Sequence, residues 1–162
     1  MTDERRNARP RPRSMLHWIA FGAGAGLFPR APGTAGTVAA VPIYLAVGTA
    51  PLAVYALGIA FVIGVGVWAC GRTARDLGVH DHPGIVLDEI AGFLVTMTAL
   101  PFEWPWVVAG FVAFRIFDVA KPWPVSLADR KVGGGLGIML DDVIAGALAC
   151  AALHAVRYAF GL

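Results

Sequence analysis

The 162-residue chain is 57% hydrophobic and only 15% charged, with a mean hydropathy of +0.67, whereas soluble domains carry roughly 25% charged residues. Its net charge of +2 is too small and too localised for a nucleic-acid surface, and the composition is that of a membrane protein with the length of one domain. Cys70 and Cys150 both lie in apolar runs and read as small buried thiols, not a disulfide framework.

Residues 1–13 hold Arg5, Arg6, Arg9, Arg11 and Arg13, interrupted by Pro10 and Pro12, and are expected to form a disordered basic tail near anionic headgroups on the cytoplasmic side. The run that follows is short, glycine-rich and carries His17, and Pro29 to Gly33 come at once, which argues against a signal peptide. Residues 14–162 are expected to form a single membrane-embedded domain. Ser14 is placed to cap a short interfacial segment over residues 15–23.

The loop Phe28-Pro29-Arg30-Ala31-Pro32-Gly33-Thr34-Ala35-Gly36-Thr37 hands over to an apolar run. Thr34 and Thr37 are helix-start residues, and a glycine-rich helix start with free N–H groups is suited to an anion such as phosphate. After the turn at Gly48-Thr49-Ala50-Pro51, residues 52–70 carry no charge and approach the roughly 20 needed to cross a bilayer. A polar loop with Arg72, Arg75, Asp76, His80, Asp81 and His82 leads to Ile85-Val86-Leu87-Asp88-Glu89, which opens an apolar run to Leu100. Trp104 and Trp106 beside Pro101 and Pro105 have the character of an interfacial aromatic belt. The next helix ends in Arg115-Ile116-Phe117-Asp118-Val119-Ala120-Lys121-Pro122. There Arg115, Asp118 and Lys121 share roughly one face and Pro122 stops the helix. A loop with Asp129, Arg130, Lys131 and a Gly133-Gly134-Gly135 hinge precedes Ile138-Met139-Leu140-Asp141-Asp142 and a last apolar run to Phe160. Two helices are thus expected to begin with adjacent acids in a shared Ile-x-Leu-Asp-acid pattern.

The turns at residues 49–51 and 101–105 contain no Lys or Arg. If the tail is inside, every other Lys or Arg but Arg157 falls inside as well, which satisfies the positive-inside rule. The expected fold is an all-α, compact polytopic helix bundle with short or tilted helices and a polar site at its cytoplasmic face. That face would gather Asp88, Glu89, Asp118, Asp141 and Asp142, which repel one another near a low-dielectric boundary unless cations neutralise them. Mg2+ is the cofactor expected, because a hard divalent ion takes carboxylate oxygen and shares its coordination with phosphate. Adjacent acids on a helix point about 100° apart, so one of each pair is expected to ligate while the other packs against an arginine or supports the ligands from outside the coordination sphere. Arg115, Lys121, Arg72 and Arg30 supply cations for a phosphoryl group, and Asp76 and Asp81 are general-acid candidates. From the residues alone these features point to a Mg2+-dependent lipid phosphatase or phosphotransferase.

Together, the motifs Pro32-Gly33-Thr34-Ala35-Gly36-Thr37, Gly78-Val79-His80-Asp81-His82 with Ile85 to Glu89, Phe114 to Asp118 with Lys121-Pro122-Trp123-Pro124, and Gly135 to Asp142 closely resemble the phosphatidylglycerophosphatase A family. The resemblance implies hydrolysis of phosphatidylglycerophosphate to phosphatidylglycerol and phosphate, with Mg2+, by a multi-pass protein of a bacterial inner membrane. The substrate and membrane phospholipid are the partners expected, and no nucleic acid; the oligomeric state stays open. Attack by activated water, with Arg115 and Lys121 holding the phosphoryl oxygens, is preferred to a carboxylate nucleophile, because metal already explains the acids. The alternative is a cation channel or transporter, which would place acids at several depths, whereas these cluster at one boundary.

Overall fold

The computed structural model describes residues 12, 14–79 and 82–161; the basic tail but for Pro12, together with His80 and Asp81, lies outside the described residues. Among those described, all regular structure is helical. Helix α1 (Met15–Ala20) is capped by Ser14, whose side chain accepts from His17 N at 3.3 Å. A 3-10 segment (Gly22–Leu27) leads to α2 (Pro32–Val47), which is followed by α3 (Leu52–Leu77), α4 (Leu87–Thr96), α5 (Trp104–Ala120), α6 (Val125–Lys131) and α7 (Gly134–Phe160).

Among the described residues, only α3 and α7, at 26 and 27 residues, are long and apolar enough to cross a membrane. The apolar stretch of α3 is just 17% buried within the protein, and Leu52, Val54, Leu57, Phe61 and Trp68 are exposed. An uncharged helix surface of that kind is stable against lipid, not water. Together with α7 it marks the chain as membrane-associated.

Helix α4 packs chiefly on α7, and α7 also carries α3, α5 and α6. The α4–α7 contact is close because two glycines meet: a β-carbon added to Gly146 would collide with Gly92 O, and one added to Gly92 would lie 2.7 Å from Asp142 O. Thr96 Oγ1 donates to Gly92 O at 2.9 Å and lies 3.3 Å from Gly146 O, bridging the pair. Further along, Thr98 O meets Cys150 Sγ at 3.6 Å and His154 Nε2 at 3.0 Å. Contacts therefore advance along both helices together, so α4 and α7 run parallel, and α5 returns the chain between them.

The end of α5 follows the sequence expectation: Lys121 takes a left-handed conformation (φ 43°) and Pro122 follows. The start of α7 does not. Asp141 and Asp142 sit two turns inside a helix that begins at Gly134, because the glycines expected to form a hinge are contact points. A β-carbon on Gly135 would collide with Val67 O of α3, so the missing side chain lets the first turn of α7 pack against α3.

Gly146→Ala is expected to destabilise the protein by about 1–3 kcal/mol, the usual cost of overpacking, and to lower its melting temperature in detergent. Gly58→Ala on α3, where an added β-carbon meets nothing within 4 Å, serves as the matched control and should leave it unchanged or slightly raised.

Candidate active site

The first turn of α4 is held by the segment before it. Val86 N donates to Ala20 O at 3.0 Å, and a β-carbon on Gly36 of α2 would lie 2.6 Å from Val86 Cβ. The backbone leading into α4 is thereby wedged between α1 and α2, and this aims the residues that follow, Asp88 and Glu89.

Asp88, Glu89 and Asp142 form one cluster. One carboxylate oxygen of each lies within 4.8 Å of the others, and Asp88 and Asp142 are 8% and 4% exposed. Glu89 Oε2 is buried with no hydrogen-bond partner among the described residues. Three converging carboxylates, one of them with an unsatisfied buried oxygen, form a donor set suited to a metal ion: neutralising them otherwise would take protons or cationic side chains.

Asp118 of α5 lies close enough to act electrostatically on both Glu89 and Asp142. It is also ion-paired with Arg115 Nη1, and both side chains are mostly buried. Arg115 Nη1 in turn lies beside Gly33, in the first turn of α2. The cluster is thus ringed by Asp118, Arg115 and the start of α2.

Asp141 goes elsewhere. Its Oδ2 accepts from Lys121 Nζ at 2.7 Å, and the same ammonium donates to Asp129 Oδ1 at 2.6 Å. Burial works against the charge of Lys121, but the hydrogen bonds to Asp129 and Asp141 outweigh it and raise its pKa above the usual lysine range. Lys121, at the end of α5, therefore binds two carboxylates, one on α6 and one two turns inside α7. Arg72 Nε donates to Asp76 Oδ1 at 3.2 Å from a largely exposed side chain, and Asp76 Oδ2 lies 3.3 Å from Nε2 of buried His17. Thr37 Oγ1 donates to Gly33 O at 3.0 Å and is fully buried, while Thr34 is half-buried in the first turn of α2. Arg30 is exposed, and Asp81 lies outside the described residues. Nearby His82 is buried and accepts from Gly84 N at 3.0 Å through Nδ1, which closes the loop before α4.

Two contacts could not be read from the sequence: Asp129, one charge in a polar loop, shares Lys121 with Asp141, and Gly33, one glycine of the helix start, meets Glu89 and Arg115 from far away in the chain.

The sequence pattern of the family described as Phosphatidylglycerophosphatase A matches residues 18–157. The chain belongs to the phosphatidylglycerophosphatase A family. It is 46% identical over 143 residues to phosphatidylglycerophosphatase A of Escherichia coli (strain K12), covering 88% of this chain and 83% of that protein. To the protein of the same name from Haemophilus influenzae it is 38% identical over 148 residues, 88% of this chain and 89% of the relative. A third relative, from Bacteroides thetaiotaomicron, is 35% identical over 93% of this chain and 99% of its own length, and is provisionally named a phosphatidylinositol-3-phosphatase. No solved structure matches the chain. Family membership makes the chain a phosphatase, and the residues of the acidic cluster and its surroundings all fall inside the matched segment.

The divided roles of the Asp141-Asp142 pair can be checked by Mn2+ titration followed by paramagnetic resonance. Asp142→Asn is expected to weaken binding about tenfold or more, at least the loss seen when a group supporting a metal ligand is removed, and Asp141→Asn to weaken it distinctly less. A larger loss from Asp141→Asn would move the cation site onto the Lys121 side.

Proposed function

We propose that this protein hydrolyses phosphatidylglycerophosphate to phosphatidylglycerol and inorganic phosphate, with Mg2+, as a multi-pass protein of a bacterial inner membrane whose site opens to the cytoplasmic face. The observation that carries this reading is the convergence of Asp88, Glu89 and Asp142 beside Arg115 in a chain of this family. An acidic cluster alone is only a cation site; a cation site with an arginine at its rim is equipped for a phosphate monoester.

In this reading Asp88, Glu89 and Asp142 hold Mg2+, which the all-oxygen donor set suits. The ion would supply charge neutralisation for the phosphoryl group and a more acidic water. Asp118 fixes the Arg115 guanidinium through their ion pair, so that its remaining N–H groups are presented to the phosphoryl oxygens without a search among rotamers. That pair is mostly buried, which keeps water from screening the charge that develops there. Lys121, bound to Asp129 and Asp141, neutralises Asp141 and reduces the negative charge an incoming phosphate must approach. The first turn of α2, with Thr34, adds N–H groups on the Arg115 side. The cytoplasmic placement rests on the positive-inside pattern of the loops, and the lipid substrate on the family and the membrane-associated fold.

The deciding experiment is phosphate release by detergent-purified protein from phosphatidylglycerophosphate, and in parallel from phosphatidylinositol 3-phosphate, with Mg2+ and then with chelator. Release from phosphatidylglycerophosphate that requires Mg2+, and its loss by a factor of about 100 or more in Asp118→Asn, are expected. Arg130→Ala, which alters an exposed residue of α6, should stay close to wild type. Faster release from phosphatidylinositol 3-phosphate would change the substrate while keeping the reaction; no metal-dependent release from either would overturn the reading.

A further inference from the structure

Gly33 occupies the first turn of α2, where alanine is the better helix former. Local conformation therefore gives no reason for glycine there. Space does: a β-carbon at Gly33 would collide with Glu89 Oε1 and would lie 3.2 Å from Arg115 Nη1. The one missing methyl group thus faces both an acid of the cluster and the cation at its rim. The helix of Glu89 is wedged through Val86 against Gly36, so an added methyl group would be met by turning the Glu89 carboxylate aside, not by moving its backbone.

We propose that Gly33 is a positioning residue, whose bare Cα leaves the slot in which the Glu89 carboxylate and the Arg115 guanidinium lie together, one turned toward the cation and the other toward the phosphoryl group. The inference rests on reading the acidic cluster as a cation site. It requires that filling the slot displace Glu89 and lower cation affinity, and that shortening Glu89 by one methylene make the added methyl harmless.

The test is a double-mutant cycle of Gly33→Ala and Glu89→Asp in full-length protein in detergent. Mn2+ affinity is read by paramagnetic resonance, folding by thermal unfolding, and kcat and KM by phosphate release. Gly33→Ala alone is expected to weaken Mn2+ binding about fivefold or more with unfolding close to wild type; introduced into Glu89→Asp it should change affinity by less than about twofold, the signature of coupled neighbours. The kinetic loss should appear mainly in kcat and be partly recovered by raising the metal concentration. Equal effects of Gly33→Ala in both backgrounds, or Mn2+ affinity unchanged by Gly33→Ala, would overturn the proposal, as would a variant that fails to fold in the Glu89→Asp background too. Coupled Mn2+ affinities in a protein without lipid phosphatase activity would leave the positioning role standing and overturn only the proposed reaction.

Discussion

The crossing of α4 and α7 at Gly92 and Gly146 sets the geometry of everything near the acids. Asp88 and Glu89 precede Gly92 by four and three residues, and Asp142 precedes Gly146 by four. Residues at those spacings lie one helical turn away on the same face. When two parallel helices touch backbone to backbone at the glycines, the side chains one turn earlier on each are brought together. The cluster is therefore a consequence of a helix contact, with Thr96 bridging Gly92 O and Gly146 O to hold the two axes in register. Parallel neighbours need a return element between them, and α5 is that element: it brings Arg115 and Asp118 back to the acid end.

Such a contact would be self-defeating without cations, since carboxylates in a low-dielectric site repel strongly. The protein divides the charge. Lys121 takes Asp141 and Asp129, and Arg115 takes Asp118, which leaves Asp88, Glu89 and Asp142 as the group whose oxygens converge. The division follows from helix geometry. Asp141 and Asp142 point about 100° apart around α7, so one can face α4 only if the other faces the α5–α6 junction, where Lys121 lies in its left-handed turn. The adjacency of two acids in the sequence encodes two separate electrostatic tasks.

That division marks what could be read from the chain. The acid pairs, the Arg115-Asp118-Lys121 face and the stop at Pro122 are local patterns, and local patterns determine which side chains share a helix face. Ser14 as a cap and α3 as a helix long and apolar enough to cross a membrane were legible for the same reason. The beginning of α7 was not, because Gly133-Gly134-Gly135 has the composition of a hinge and only the approach of α3 to Gly135 reveals a helix. Nor could spacing say that both acids of the Asp88-Glu89 pair, but only Asp142 of the second pair, would join the cluster, since that depends on Lys121 and on the Gly92–Gly146 contact, both distant in sequence. Gly33 and Asp129 were opaque on the same ground: each is defined by a partner on another element.

The shortness of α4 explains the polar residues in the other half of the molecule. Ten residues of helix span about 15 Å, half the hydrocarbon thickness of a bilayer, and the carbonyls at and just beyond the end of α4 need partners from outside the helix. Side chains from the two long helices supply the partners: Tyr55 Oη donates to Leu94 O at 2.7 Å, His154 Nε2 lies 3.0 Å from Thr98 O, and Arg157 Nη1 lies 3.5 Å from Ala99 O. Residues that would otherwise suggest an ion path through the membrane, including the one arginine that departs from the positive-inside pattern, are thus engaged with carbonyls at and just beyond the end of α4. A transport path would need acids along its length. The clustered acids and their ion pairs gather on one side of the Gly92–Gly146 contact, Glu103 at the start of α5 lies apart from them, and Tyr55, His154 and Arg157 contact backbone carbonyls, so the polar groups divide between the site and the end of the short helix that carries it.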